Sequence, residues 1–192
     1  MFDTVSETLR ISGTIGVLPT DTVYGVVARA QDQEAVRRLY ELKSREHKPG
    51  TLIAADTGQL ESLGLQHRYL AAVAHYWPGA VSVVVPCGPE LAYLHQGVGS
   101  LAVRIPDVPD LRALLSRTGP LLTSSANDPG APTAQNIDEA RQYFGDKVDF
   151  YVDGGDLSGR APSTVLRIID DTVEVLRQGA VPINAQTGGT IE

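Results

Sequence analysis

The chain has 192 residues, enough for one sizeable hydrophobic core and short for two. Apolar residues make up 42 %, an ordinary share for an ordered globular chain. The balance of 16 basic against 23 acidic side chains gives a formal charge of −7, which excludes a basic, phosphate-tracking surface over the whole protein. Cys87 is the single cysteine, so an internal disulfide and a multi-cysteine zinc site are excluded as well.

The start, Met1-Phe2-Asp3-Thr4-Val5, lacks the basic segment and apolar run of a signal peptide. Stretches such as Ala80 to Pro86 fall far short of the ~20 apolar residues that span a bilayer. A cytoplasmic protein without a membrane anchor is the expectation. Thr14 to Leu18 reads as a buried strand running into Pro19. Asp32 is a suitable N-cap for a helix to Lys43 that presents Ala35, Val36, Leu39 and Tyr40 on one face. Leu52 to Ala55 reads as a short strand, with helical signals around Gln59 to Leu63. Tyr69, Leu70, Val73, Ala74 and Trp77 have helical spacing, and Pro78-Gly79 stops that helix. Val81 to Val85 and Leu101 to Ile105 are strands closed by prolines, and Leu111 to Leu115 is helical. Leu121 to Thr123 is a short strand entering a polar loop, and Ile137 to Phe144 a helix ended by Gly145. Thr164 to Ile169 and Thr172 to Arg177 flank Asp170-Asp171 as a hairpin. The pattern predicts an α/β fold with an open, twisted, mixed β-sheet and flanking helices. One domain over residues 1–181 and a short polar tail over 182–192 are expected.

Four polar clusters are candidates for chemistry. Pro19 to Gly25 (PTDTVYG) offers two threonine hydroxyls and a carboxylate, and equally suits a capped turn. Lys43 to Gly50 (KSREHKPG) has three cations in six residues, enough for a polyphosphate, although a helix C-terminus attracts cations anyway. Thr123 to Gly130 (TSSANDPG) brings hydroxyls and an amide after a strand, as does an ordinary Ser/Asn turn. Gly154 to Val165 is a long loop shaped by glycines and proline. His47, His67, His75 and His95 show no metal-ligand spacing, so no protein-held metal is expected. There is neither a Gly-x-Ser-x-Gly elbow nor a Walker loop, and nothing activates Cys87. A covalent nucleophile is not indicated.

Taken together and in order, Pro19–Gly25, Lys43-Ser44-Arg45, Ser100 to Arg104, Ser125-Ala126-Asn127, Pro162 to Val165 and Leu176 to Gly179 resemble the YrdC/TsaC-type threonylcarbamoyl-AMP synthases in their short, single-domain form. The resemblance spans roughly residues 7 to 181. It implies an open α/β fold around a large concave cavity. It also implies a reaction of L-threonine, bicarbonate and ATP, with Mg²⁺, giving threonylcarbamoyl-AMP and pyrophosphate. Downstream tRNA threonylcarbamoyl-transferase proteins would use that product, with tRNA contact by this chain weak or indirect. On the resemblance, Thr22, Arg104, Thr123 and Ser163 hold threonine. Lys43, Arg45 and Arg177 hold the triphosphate and carry catalysis. Ser100, Ser125, Asn127 and Thr133 contact the nucleotide, and Lys48 adds a further ATP contact. One departure is visible: Glu46 follows Arg45 where the family commonly has Pro, and Lys48 comes three residues after Arg45 rather than four. The alternative is a non-catalytic nucleotide- or RNA-binding paralogue with the same cavity.

Overall fold

The computed structural model describes residues 2–44, 46–169, 172–184 and 186–191, Asp3 by its backbone alone. Nine strands form one mixed sheet: β1 (Ile15–Pro19), β2 (Tyr24–Arg29), β3 (Thr51–Ile53), β4 (Val81–Pro86), β5 (Ser100–Arg104), β6 (Leu121–Ser125), β7 (Phe150–Tyr151), β8 (Thr164–Ile169) and β9 (Thr172–Arg177). Their order across the sheet is β7-β1-β2-β6-β3-β5-β4-β8-β9. β1–β7, β3–β5 and β4–β8 pair parallel, and the other neighbours pair antiparallel. The helices are α1 (Asp3–Thr8), α2 (Gln33–Leu42), α3 (Thr57–Leu63), α4 (His67–Val73), α5 (Ala92–His95), α6 (Pro109–Thr118) and α7 (Ile137–Phe144).

Successive side chains of a strand face opposite sides of the sheet, so each strand divides its residues between two environments. On one face Val17, Val26, Leu52, Leu122, Leu101, Val103, Val83 and Leu166 join a large core with residues of α2, α3, α4, α5 and α7. On the other face α1 and α6 cover only part of the sheet. Their Val5, Leu111, Leu114 and Leu115 pack on Leu18 of β1, Val27 of β2, Ile53 of β3 and Leu121 of β6. The same face of β5, β4 and β8 carries Ser100, Ala102, Arg104, Ser82, Val84, Val165 and Arg167, and no helix of the described residues lies over it. That uncovered half becomes the concave surface.

Expected and observed elements agree closely for α7, β8 and β9. Asp170-Asp171, read as their hairpin turn, lies outside the described residues. The Leu52–Ala55 strand is shifted to Thr51–Ile53, because the Ala55 N–H turns away to the Gln59 side chain at 2.9 Å. The Tyr69–Trp77 helix ends earlier than expected, with Ala74–Tyr76 tightening into a 3₁₀ turn. β2, of which sequence patterning put Tyr24 and Gly25 in a polar turn and left the rest unassigned, is a full strand paired with β1 and β6. The tail docks on the body: Ile183 is buried, bridges to Thr190, and exchanges hydrogen bonds with the Gln178 side chain.

α2 begins as the sequence predicts. Asp32 Oδ1 accepts from the N–H groups of Glu34 and Ala35, both at 3.1 Å, while Oδ2 accepts from Gly13 at 2.8 Å. Partial burial opposes ionisation of Asp32, but these donors outweigh it and hold its pKa below the ordinary value. Asp32→Ala is therefore expected to lower stability by about 1–2 kcal/mol at pH 7 in urea unfolding. A depressed pKa gives stabilisation that is full above the unfolded-state value of 3.8 and lost as pH falls through the folded value. The gap between wild type and variant should accordingly shrink under acid.

Candidate functional site

A cavity of about 420 Å³ opens on the uncovered face. Its floor is the outward side of β5, β4 and β8. Its walls are the β1–β2 turn, residues 49–50, Val98, Pro162-Ser163 and the end of β9. Of the residues expected to bind ligands, Thr22, Ser100, Arg104, Thr123, Ser125, Ser163 and Arg177 all line it.

The turn after β1 holds itself together. Thr20 Oγ1 donates to the Val23 carbonyl at 2.7 Å and accepts from the Thr22 N–H at 3.2 Å, so Thr20 is a turn-forming residue. Thr22, 4 % exposed, lies beside it on the cavity wall. Across the strands, Gly25 leaves room for Thr123: a Cβ there would sit 2.5 Å from the Thr123 hydroxyl.

Behind the floor runs a buried polar chain. Arg104 Nη2 lies 2.9 Å from Asp21 Oδ1, with both side chains at least nineteen-twentieths buried. Arg104 Nη1 donates to Ser82 Oγ at 3.3 Å, and Ser82 donates to Ser163 Oγ at 2.9 Å. Arg177 reaches the same residue from β9, donating to the Ser163 carbonyl at 2.8 Å and to its Oγ at 3.3 Å. Ser163 Oγ thus accepts twice, which leaves its own hydrogen to point at a ligand acceptor. Burial pushes the Asp21 pKa up against the pull of Arg104, and burial likewise pushes Arg104 down against the pull of Asp21. Their separation is that of an ion pair, but its angle is poor, and both Asp21 oxygens and Arg104 Nε lack a hydrogen bond among the described residues. Ser82 and Arg167 are site residues that sequence reasoning did not single out, and Asp21 was read only as the carboxylate of the Pro19–Gly25 turn.

Arg177 owes its orientation to a register shift. Arg167 pairs with Glu174 and Leu166 with Val175, yet Val165 pairs with Arg177, so Leu176 is an extra residue in β9. Without that bulge, strict alternation would point Arg177 away from the face shared by Arg167 and Val165. The close turn that follows needs a glycine. A Cβ on Gly179 would meet the Pro162 carbonyl at 2.2 Å.

The remaining expected residues are placed differently. Lys43 ends α2, and its ammonium is buried in the loop after β6. It donates to the Ser125 carbonyl at 2.8 Å, to the Asn127 carbonyl, and to Asn127 Oδ1 at 3.2 Å. Asn127 Oδ1 also accepts from Ser125 Oγ at 2.6 Å. Lys43 and Asn127 therefore shape the wall that presents Ser125. Thr133 is in the loop after them and does not line the cavity. Arg45 lies outside the described residues. Lys48 is exposed and lines a separate, larger groove of about 1070 Å³ beside α2 and α5. Size does not make that groove the site: of the described residues expected to bind ligands it holds Lys48 alone, and its Arg37 pairs with Glu34 and Glu41. The 420 Å³ cavity has Arg104, Arg167 and Arg177 in its lining and, among the described residues, no carboxylate.

The family described as "Telomere recombination", Sua5/YciO/YrdC, matches residues 9–179. The chain belongs to the Sua5/YciO/YrdC family. It is 34 % identical to the threonylcarbamoyl-AMP synthase of Pseudomonas syringae pv. syringae over 88 % of this chain and 92 % of that one. Among solved structures it resembles P. abyssi Sua5 complexed with L-threonine, with a TM-score of 0.83 and 28 % identity over 94 % of this chain. It spans about half of that Sua5, 54 % of its length. It also resembles E. coli YciO, with a TM-score of 0.78 and 25 % identity over 92 % of this chain and 87 % of that one. Arg104, Arg167 and Arg177 lie on the uncovered sheet face, and no helix of the described residues is long and apolar enough to cross a membrane.

Asp21→Asn would strand the buried Arg104 cation without its counter-ion. We expect a loss of about 3–5 kcal/mol in equilibrium unfolding. A change below about 1 kcal/mol, the worth of an exposed pair, would show that the two charges are not coupled.

Proposed function

We propose that this chain is a threonylcarbamoyl-AMP synthase, joining L-threonine, bicarbonate and ATP and releasing pyrophosphate. The observation that carries this reading is the cavity lining, which among the described residues has three guanidiniums, several hydroxyls and no carboxylate, in a protein of formal charge −7. Such a lining selects anions against the field of the whole molecule. The complex of P. abyssi Sua5 with L-threonine and the synthase names of relatives support the choice of ligand.

Arg104 would take the threonine carboxylate, with Asp21 fixing the guanidinium from behind. Thr22, Thr123 and the Ser163 hydroxyl surround the rest of the amino acid. Arg177, with Arg45 and Lys43, would hold the triphosphate, and Ser100, Ser125 and Asn127 the nucleoside. For Lys43 this requires its ammonium to exchange a loop carbonyl for a phosphate oxygen. The neutral oxygens of Ser100, Thr123 and Ser125 suit Mg²⁺ only as an ion held chiefly by the phosphates and its own waters. When bound, Mg²⁺ supplies charge neutralisation.

The threonine amine and bicarbonate give a carbamate and water. A carbamate oxygen then forms a bond to the α-phosphorus as the bond to the bridging α–β oxygen breaks, and pyrophosphate leaves with that oxygen. The chain's own share is to align the two substrates on one floor and to stabilise charge on the departing pyrophosphate with Arg177. No side-chain nucleophile is required. The product would serve threonylcarbamoyl transfer to tRNA by partner proteins.

Pyrophosphate release should require ATP, L-threonine, bicarbonate and Mg²⁺ together, and mass detection should show the mixed adenylate. Chelating Mg²⁺ should abolish turnover. Arg177→Ala should lower kcat by about 10²–10³. Arg104→Ala should act mainly on the KM for threonine. Binding of ATP and threonine without any adenylate would instead identify a non-catalytic paralogue.

A further inference from the structure

Arg167 is a cavity-lining cation that no motif marks. It lies on the uncovered face of β8, two residues along from Val165, and in register between Val84 of β4 and Glu174 of β9. Val84 stands in turn beside Ala102 of β5. The middle of the cavity floor is therefore small and apolar from Ala102 to Val84 and ends in a guanidinium. The row of Ser82, Val165 and Arg177, polar at both ends, runs alongside, one pleat repeat or roughly 7 Å away.

Arg167 is held in an unusual half-used way. Its Nε and Nη2 both donate to one oxygen of Glu174, Oε2, at 2.9 and 2.7 Å. Nη1 of Arg167 and Oε1 of Glu174 have no hydrogen-bond partner among the described residues. The two side chains are 45 % and 47 % exposed. A half-exposed ion pair is weak, and a phosphate chain offers a guanidinium more charge and more acceptors than one carboxylate does.

We propose that Arg167 is a further phosphate-binding guanidinium of this cavity, parked on Glu174 until a polyphosphate displaces that carboxylate. The proposal rests on the reading that the cavity takes a nucleoside triphosphate. Glu174 is then a competitor of the ligand, and it sets how tightly pyrophosphate is retained after the reaction.

Opposite signs at the two positions test the idea. ATP and inorganic tripolyphosphate are titrated calorimetrically into wild type, Arg167→Ala, Arg167→Lys, Glu174→Gln and Arg177→Ala. Arg167→Ala should weaken both ligands about tenfold, and Arg167→Lys should recover part of that loss. Glu174→Gln should tighten both by roughly twofold to fivefold, because it frees the guanidinium. L-Threonine affinity should stay unchanged in all three. A purely structural cross-strand pair would move Arg167→Ala and Glu174→Gln in the same direction, and that result overturns the proposal. If Arg177→Ala abolishes binding while Arg167→Ala and Glu174→Gln match wild type, the Arg167 assignment alone falls. If wild type binds neither polyanion, the nucleotide reading falls and this one with it.

Discussion

Opposite charges buried 2.9 Å apart, on Arg104 and Asp21, fix the geometry from which the rest of the site is built. Removing two ions from water is costly, and the raised Asp21 and lowered Arg104 pKa values are the sign of that cost. The chain retains the pair where the sheet has no helix over it. From Arg104 the contacts pass through Ser82 to Ser163 and meet Arg177 from the last strand. Five residues from three strands and two loops are thereby brought to one side of the sheet. A guanidinium held from behind by a carboxylate loses little freedom when a second carboxylate arrives in front, which favours binding by preorganisation.

The sheet supplies the floor because its two faces were given different work. One face is apolar along its length and packs under five helices. The other carries large apolar side chains beneath α1 and α6 and turns to Ser, Thr, Arg and small apolar residues beyond them. Loops then raise the walls. Tyr24 pins one of them, accepting from the Gly154 N–H at 2.8 Å and donating to the Gly155 carbonyl at 2.9 Å. His95 braces another, its Nδ1 accepting from Gly97 and Gly99, both at 3.1 Å, just before Ser100.

Much of this was legible in the residues. The Asp32 cap, the apolar face of α2, the bounds of α7 and the two final strands follow from local pattern, and local interactions form them. Other features depend on partners far along the chain. β2 escaped notice because Tyr24-Gly25 reads as turn, and its run of small apolar residues gains meaning only between β1 and β6. β7 is two residues that become a strand by pairing with β1. Asp21 was visible as one carboxylate in a polar turn, while its pairing with Arg104 needs the folded sheet. The resemblance gave Lys43 to the triphosphate and Asn127 to the nucleotide; that they bond to each other and to Ser125 was not legible. Arg167, flanked by Leu166 and Ile168, reads as a solvated strand position until the missing helix is known.

The extra residue in β9 makes the phase of one edge strand a chemical variable. Deleting Leu176 would remove the bulge and leave Arg177 next after Val175, opposite Val165 and on the same face as now. Keeping Leu176 but pairing it with Val165 would instead turn the guanidinium of Arg177 through the sheet, from the anion side to the oily side. Two relatives can therefore differ here by a single gap and present the same guanidinium to the same face, so an alignment should be judged by strand register before a gap is penalised.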